Sequence, residues 1–344
     1  MALSIAAYES SWYLADLLSN AATFASVHTR IVLHYNCRAE GSDPLSVLRA
    51  EGLAARVEIN PKCVTVRPSC GSVLHAHLLN FLYIDRNSAG LKHPRYFVMQ
   101  ASNMRWVQRG WEAYVAGRQA SVDASMRTKG SPPAIGAIRR GNAKRSSRSS
   151  ALRVVLARTM RALTNGSNCF VYSDHEGSFW PWAAMREFMG ALPEALSQAR
   201  SKAGGRRPEG SMGFWLMALG ARLANDGDAL AVLDEATGAF EEHLLPSFYA
   251  SRLLGSTCAQ PRPSARQHSC LYGLGRRPEG CATTLMRWPD HASLLHERRR
   301  EAFLRHPRPL DPTGAATNDV FALKVVWRHP NNTLLQAIHA LRAA

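Results

Sequence analysis

Short apolar blocks alternate along the chain with longer segments whose apolar positions recur at helical spacing. Leu3-Ser-Ile-Ala-Ala-Tyr8 reads as a buried strand. Ser10 and Ser11 offer caps for a following helix with Trp12, Leu14, Leu17, Leu18 and Ala22 on one face. Arg30-Ile-Val-Leu-His-Tyr-Asn36 is the next β-branched apolar run, so the chain opens as strand, helix, strand, the pattern of a parallel sheet. A helix over 43–55 and a strand over 55–60, closed by Pro61, follow. Gly71-Ser72 starts a helix through Val73–Tyr83, and Tyr96–Ala101 is a fourth, apolar strand running into Ser102-Asn103-Met104. That end falls at the carboxyl edge of the sheet, where open α/β folds bind ligands.

A helix resumes over Gly110–Ala116, and 121–150 is expected to be a flexible insertion rich in Ser, Gly, Pro and Arg. The second half reads as more helical, over 151–163, 182–200, 212–224, 228–236 and 247–254. A loop-rich stretch over 255–284 leads to an Arg/His-rich helix near 290–305, a last strand over Val320–Trp327 and a terminal helix. The hexapeptide GRRPEG occurs at 205–210 and 275–280 without similarity around either copy, and is read as coincidence rather than a structural repeat. The expected class is α/β, a mostly parallel central sheet flanked by helices with a helix-rich second half.

Composition narrows the function classes. At 344 residues and 46% hydrophobic, the chain can bury a large core. It has no run of about 18 apolar residues, so no membrane span is expected. The start MALSIAAYESSWYL lacks the basic opening and small-residue cleavage site of a signal peptide. Lys and Arg number 42 against 26 acids, a net +16 that favours polyanionic ligands. The densest basic tract, Arg139–Arg148, lies among Ser and Gly with no interleaved aromatics, which reads as a solvated loop and not as a specific nucleic-acid surface. The seven cysteines show neither a CxxC pair nor zinc spacing. Three of them lie within 258–281, where disulfides can form but no pairing is deducible. Asn165-Gly-Ser and Asn331-Asn-Thr are glycosylation sequons, usable only in a secretory lumen and common by chance.

Four segments in order resemble the core-2/I-branching N-acetylglucosaminyltransferase and peptide-O-xylosyltransferase family. They are the opening strand-helix-strand ending in His34-Tyr35-Asn36, then Tyr96–Ser102, then Gly177-Ser-Phe-Trp180 with Arg186-Glu-Phe188, and Glu241-Glu-His-Leu-Leu-Pro-Ser247. Together they cover most of residues 3–254, with the C-terminal basic strand as a weaker fifth match. Two departures stand out: a long spacing from Gly177 to Glu242, and Asn103-Met104 in place of an acidic turn. The resemblance implies a GT-A-like fold in a single domain, 1–344, with a nucleotide-binding half over 1–116 and an acceptor half over 151–344. It implies a UDP-sugar donor, a glycan or protein acceptor, and the Golgi lumen. Any anchor or signal would then be missing from this chain.

The same resemblance distributes roles. Inverting sugar transfer needs a base for the acceptor hydroxyl, and Glu242 matches the family's base. Without the match, Glu241 and Glu242 simply complement a helix dipole, with Pro246 tolerated in the first turn. His34, Asn36, Ser102 and Asn103 fall at strand ends where the nucleotide donor would bind. The family it resembles is metal-independent, so the resemblance implies no metal and no cofactor; a fourth strand ending without a carboxylate fits this, and Asp226-Gly-Asp228 reads as a turn. Lys324 and Arg328 would then meet the diphosphate; an edge lysine is an equal reading of Lys324. Glu176 and Trp180 are candidates for the acceptor, with core packing of at least one of Phe179, Trp180 and Trp182 the plainer reading. His75 and His77 sit two apart on a helix and so diverge, which favours packing or capping over metal binding. No GxGxxG, phosphate-loop or GxSxG motif occurs, which argues against dehydrogenase, ATPase and α/β-hydrolase readings. The competing function is a catalytically inactive protein that binds glycans or polyanions through its basic surface.

Overall fold

A computed structural model describes residues 1–36, 43–66, 72–88, 92–107, 109–116, 158–165, 177–204, 241–253, 272–273, 286–287, 322–324 and 333–343. The expected insertion at 121–150 and the expected helices at 212–224, 228–236 and 290–305 lie outside these residues, as do Glu176, Asp226-Gly-Asp228, Arg328, the Arg139–Arg148 tract and both GRRPEG copies.

The opening follows the apolar pattern: β1 (Ala2–Ala7), α1 (Ser11–Phe24), β2 (Arg30–Tyr35), α2 (Pro44–Ala50), β3 (Val57–Ile59), α3 (Ser72–Asn87) and β4 (Tyr96–Ala101). Next come β5 (Met104–Trp106), α4 (Trp111–Ala116), a helical segment at 158–163, β6 (Phe179–Pro181) and α5 (Trp182–Gly204). Then follow α6 (Glu241–Phe248), continued by a π-helical turn (Tyr249–Leu253), and β7 (Tyr272–Gly273), β8 (Met286–Arg287), β9 (Ala322–Lys324) and α7 (Thr333–Ala343). Caps set some of these bounds. Asp43 accepts from the amides of Leu45 (3.1 Å) and Ser46 (3.0 Å), with Pro44 at the first helical position of α2. The Ser46 hydroxyl, helped by those amides, holds the Asp43 carboxyl below the usual carboxylate range.

The main sheet runs β3-β2-β1-β4-β6, parallel except for β6 against β4. Period-two alternation sorts its side chains. Leu3, Ile5, Ala7, Ile31, Leu33, Tyr96 and Val98 face a core shared with α1, α2 and α4. Ala2, Val32, Phe97 and Met99 face a second core with α3, α5 and α6. This is a mostly parallel sheet with helices on both faces. A smaller sheet, β5-β9-β8-β7, flanks it. The hydrophobic pattern foretold none of β5, β6, β7 and β8, because strands of two or three residues are too short for alternation to register.

Two local expectations need correction. Trp12 does not join the buried face of α1; it is half-exposed, and the stripe is Tyr13, Leu14, Leu17, Leu18 and Ala21. Pro246 does not lie in a first turn, because α6 begins at Glu241 and encloses it. With no amide hydrogen, Pro246 cannot bond the carbonyl of Glu242 four residues back, and the helix re-registers into a π turn one residue after α6 ends. Among the described residues, no helix is long and apolar enough to cross a membrane.

One polar network threads the α3 side of the sheet. Ser4 Oγ lies 2.7 Å from His77 Nδ1, and Asn80 Nδ2 donates to Ser4 Oγ (2.9 Å) and to the carbonyls of Val32 (3.1 Å) and Ile5 (3.3 Å). Asn60 Nδ2 donates to Asn80 Oδ1 at 3.0 Å. His77 belongs to this network, and His75 and His77 are both buried, in keeping with packing roles. Removing the amide at Asn80 strands several of these groups in a dry site. Asn80→Ala is expected to lower unfolding free energy by about 2–4 kcal/mol. Urea denaturation measures it, and a change below about 0.5 kcal/mol would show that the network contributes nothing.

Candidate functional site at the carboxyl edge of the sheet

The chain winds from β1 to β2 and β3 on one side, then crosses through α3 to β4 on the other. The order therefore reverses between β1 and β4, and open α/β sheets form their ligand crevice at such a reversal, beyond the carboxyl ends of the strands. Three of the donor-site candidates named from sequence lie on the rim that this geometry defines, and the fourth, His34, lies directly beneath it.

On the β1–β2 side, the backbone turns at Tyr8-Glu9-Ser10. Glu9 Oε2 accepts from the Tyr8 amide (2.8 Å), and the Glu9 carbonyl accepts from the Tyr35 hydroxyl (2.9 Å). Glu9 is a carboxylate at the reversal point that sequence reasoning passed over; its signal was a lone acid directly after an apolar strand. His34 is fully buried, and its Nε2 sits 3.2 Å from both the amide and the carbonyl of Val64, bonding one or the other according to tautomer. Asn36 Nδ2 donates to the Val66 carbonyl at 3.2 Å. Both residues thus hold the 60–66 segment against the end of β2. With no exposed surface, His34 offers no face to a bound ligand. Cys63, in the same segment, is disulfide-bonded to a partner outside the described residues.

On the β4 side, Ser102 and Asn103 form the turn into β5. Asn103 Oδ1 is buried with no hydrogen-bond partner among the described residues, an acceptor that a ligand or an ordered water can fill. β9 pairs antiparallel with β5 so that Lys324 stands opposite Met104. A lysine more than two hundred residues away in sequence is thereby seated beside the Ser102-Asn103 turn.

The turn is held from behind by Arg105, which has no exposure to water. One terminal nitrogen donates to the carbonyls of Ser102 (2.8 Å) and Met104 (3.0 Å), the other to Tyr13 (3.4 Å). Its Nε donates to Asp16 Oδ2 at 2.7 Å, and the guanidinium lies 4.3 Å from the Tyr13 ring centre. Asp16 Oδ1 meets His339 Nε2 at 2.5 Å and Arg342 at 3.2 Å, both from α7. Sequence reading missed this node. Its signal was a charge inside the apolar run Met104-Arg-Trp-Val107.

The remaining candidates divide. The backbone of Glu242 lies in the first turn of α6, whose Leu244, Leu245 and Phe248 pack into the same core as Met99 and Trp180. Glu176 and Arg328 lie outside the described residues. Trp180 is buried at 1% exposure, donates its indole N–H to Ser178 Oγ (3.2 Å) and meets the Tyr249 ring edge-on at 5.5 Å. A sugar platform needs an open ring face, which Trp180 lacks, so Trp180 is a core residue and not an acceptor platform. Burial, reinforced by nearby Tyr96, pushes the Tyr249 phenol above its ordinary value. Among the described residues, no group of three His, Cys, Asp or Glu is placed to hold a metal ion.

No protein-family model matches the chain, and no curated protein does. Some solved structures align along its length at low similarity. An active-site mutant of LgtC is 10% identical with a TM-score of 0.37, over 100% of this chain and 95% of that one. The apo form of mouse xyloside xylosyltransferase 1 is 8% identical with a TM-score of 0.31, over 96% and 98%. The apo glycosyltransferase GlyE of Streptococcus pneumoniae TIGR4 is 8% identical with a TM-score of 0.30, over 100% and 60%. Likeness at this level carries no argument about activity.

As a core side chain, Trp180 should be costly to truncate. Trp180→Ala is expected to lower stability by about 3–5 kcal/mol, read from its thermal and urea transitions. A surface platform would leave stability within about 0.5 kcal/mol of wild type, and that result would reopen an acceptor role.

Proposed function

We propose that the chain transfers a sugar, of the N-acetylglucosamine or xylose type, from a UDP-sugar to an acceptor hydroxyl by an inverting, metal-independent single displacement. The observation that supports this most is the β5–β9 register, which seats the Lys324 backbone opposite Met104 at the mouth of the β1/β4 crevice. In this reading the nucleotide lies across the carboxyl ends of β1 and β4, contacting Asn36 and the Ser102-Asn103 turn. Glu9, at the end of β1, joins that donor set. Lys324 and Arg328 face the diphosphate.

Glu242 takes the proton of the acceptor hydroxyl as its oxygen attacks the anomeric carbon from the side opposite the diphosphate. The bond from that carbon to the diphosphate oxygen breaks, and UDP leaves with the electron pair. Its developing charge is met by the lysine and arginine, each charge-assisted bond contributing about 1.5–3 kcal/mol. The same reading assigns the protein to an oxidising secretory lumen, which the Cys63 disulfide supports.

Two measurements test it. In calorimetry, UDP binds the wild type, EDTA leaves the affinity unchanged, and Lys324→Ala or Arg328→Ala weakens it about tenfold or more. Unchanged affinity in both variants would remove the C-terminal strand from the donor site, and manganese-restored binding after EDTA would show that an ion is used after all. With a working donor and acceptor pair, Glu242→Gln lowers turnover about 100- to 10,000-fold while UDP still binds. Full activity in that variant would exclude it as the base. UDP binding without transfer to any acceptor would favour the inactive, ligand-binding alternative.

A further inference from the structure

The Asp16–Arg105 node joins two parts of the chain that the proposed chemistry treats separately. On one side, Arg105 bonds the Ser102 and Met104 carbonyls and so sets the backbone of the β4–β5 turn. On the other, Asp16 is held by α7 through His339 and Arg342, with Arg342 also donating to the Asp16 carbonyl at 3.2 Å. His339 and Arg342 are three apart on α7, on the same side as buried Leu335 and Ile338, so the helix docks with an apolar and a cationic half together. The two Asp16 oxygens divide the work, Oδ2 toward Arg105 and Oδ1 toward α7.

A carboxylate at 5% side-chain exposure shared in this way cannot shift toward one partner without loosening the other. We propose that α7 is a positioning element for the donor site: His339 and Arg342 act through Asp16 and Arg105 to hold the Ser102-Asn103 turn in its ligand-binding shape. The groups facing this carboxylate are Arg105 from β5 and His339 and Arg342 from α7, with the Tyr13 ring stacked on Arg105 from α1. None of these four need touch the nucleotide. The donor half of the proposal rests on the function proposed above. The structural half, turn geometry set by α7, does not.

Asp16→Asn is too blunt a test, because it leaves a buried guanidinium without its counter-charge. The partly exposed end of the node offers a gentler one, His339→Ala combined with Arg342→Ala in the full chain. Arg30→Gln serves as the control, since it breaks the Arg30–Glu58 pair (2.7 Å between Nη2 and Oε2) away from the carboxyl edge. Hydrogen exchange without ligand is expected to be faster at amides 100–106 in the double variant and unchanged there in the control. UDP affinity by calorimetry is expected to fall about fivefold or more in the double variant alone. By reciprocity, UDP should slow exchange along α7 in the wild type.

Wild-type affinity in the double variant, with UDP binding otherwise intact, would overturn the coupling to the donor site. If the wild type fails to bind UDP, the proposed function falls and exchange alone decides. Unchanged exchange at 100–106 then overturns the positioning role, and faster exchange upholds it.

Discussion

A guanidinium with no access to water is tolerable only where every side of it is answered, and Arg105 is answered on every side. A carboxylate neutralises it, three carbonyls accept its protons and an aromatic ring covers its face. Breaking such a buried pair by removing one partner typically costs about 3–5 kcal/mol, so the elements that supply the partners are tied to a common geometry. Those elements are α1, which carries Tyr13 and Asp16, and the β4–β5 turn, with α7 joined to them through Asp16. The polar rim of the crevice is therefore built on a rigid ionic base and not on a free loop.

The other polar interior works differently. Ser4, His77, Asn80 and Asn60 exchange hydrogen bonds along the α3 face, reaching the backbone of β1 and β2 as they do. Amide and hydroxyl groups there impose direction without the desolvation penalty of an ion pair, and so they fix the seating of α3 against the sheet. α3 is the crossover that carries the chain from β3 back past β1 to β4. Its seating decides where the order reverses, and so where a crevice opens. The two networks stand at different levels of the same construction, one setting the topology and the other shaping the rim.

Much of the first hundred residues was legible from hydrophobic period alone, because β1, β2 and β4 are six-residue apolar runs and the helices between them carry a clear apolar stripe. The rim residues Asn36, Ser102 and Asn103 were legible as well, since a polar residue after an apolar strand marks the edge where open α/β sheets bind ligands. Arg105 and Asp16 were not. A charged residue in the sequence reads as solvated until its partner is known, and here the partner is 89 positions away. Trp180 failed for the opposite reason. An aromatic cluster beside polar residues reads as core more plainly than as platform without saying which ring is buried, and the pairing of β6 with β4 and the packing of Tyr249 decide it for Trp180.

What the sequence determined by itself was local: which segments become strands and helices, which faces are apolar, and where a polar residue interrupts them. These follow from side-chain period and backbone preference, which act over a few residues. Tertiary structure alone decided the rest: the reversal between β1 and β4, the register that seats Lys324 opposite Met104, and the sharing of Asp16 between Arg105 and α7. Each of those depends on contacts between residues far apart in the chain, where the strength of a charge or a hydrogen bond is set by burial, and burial exists only after the chain has folded.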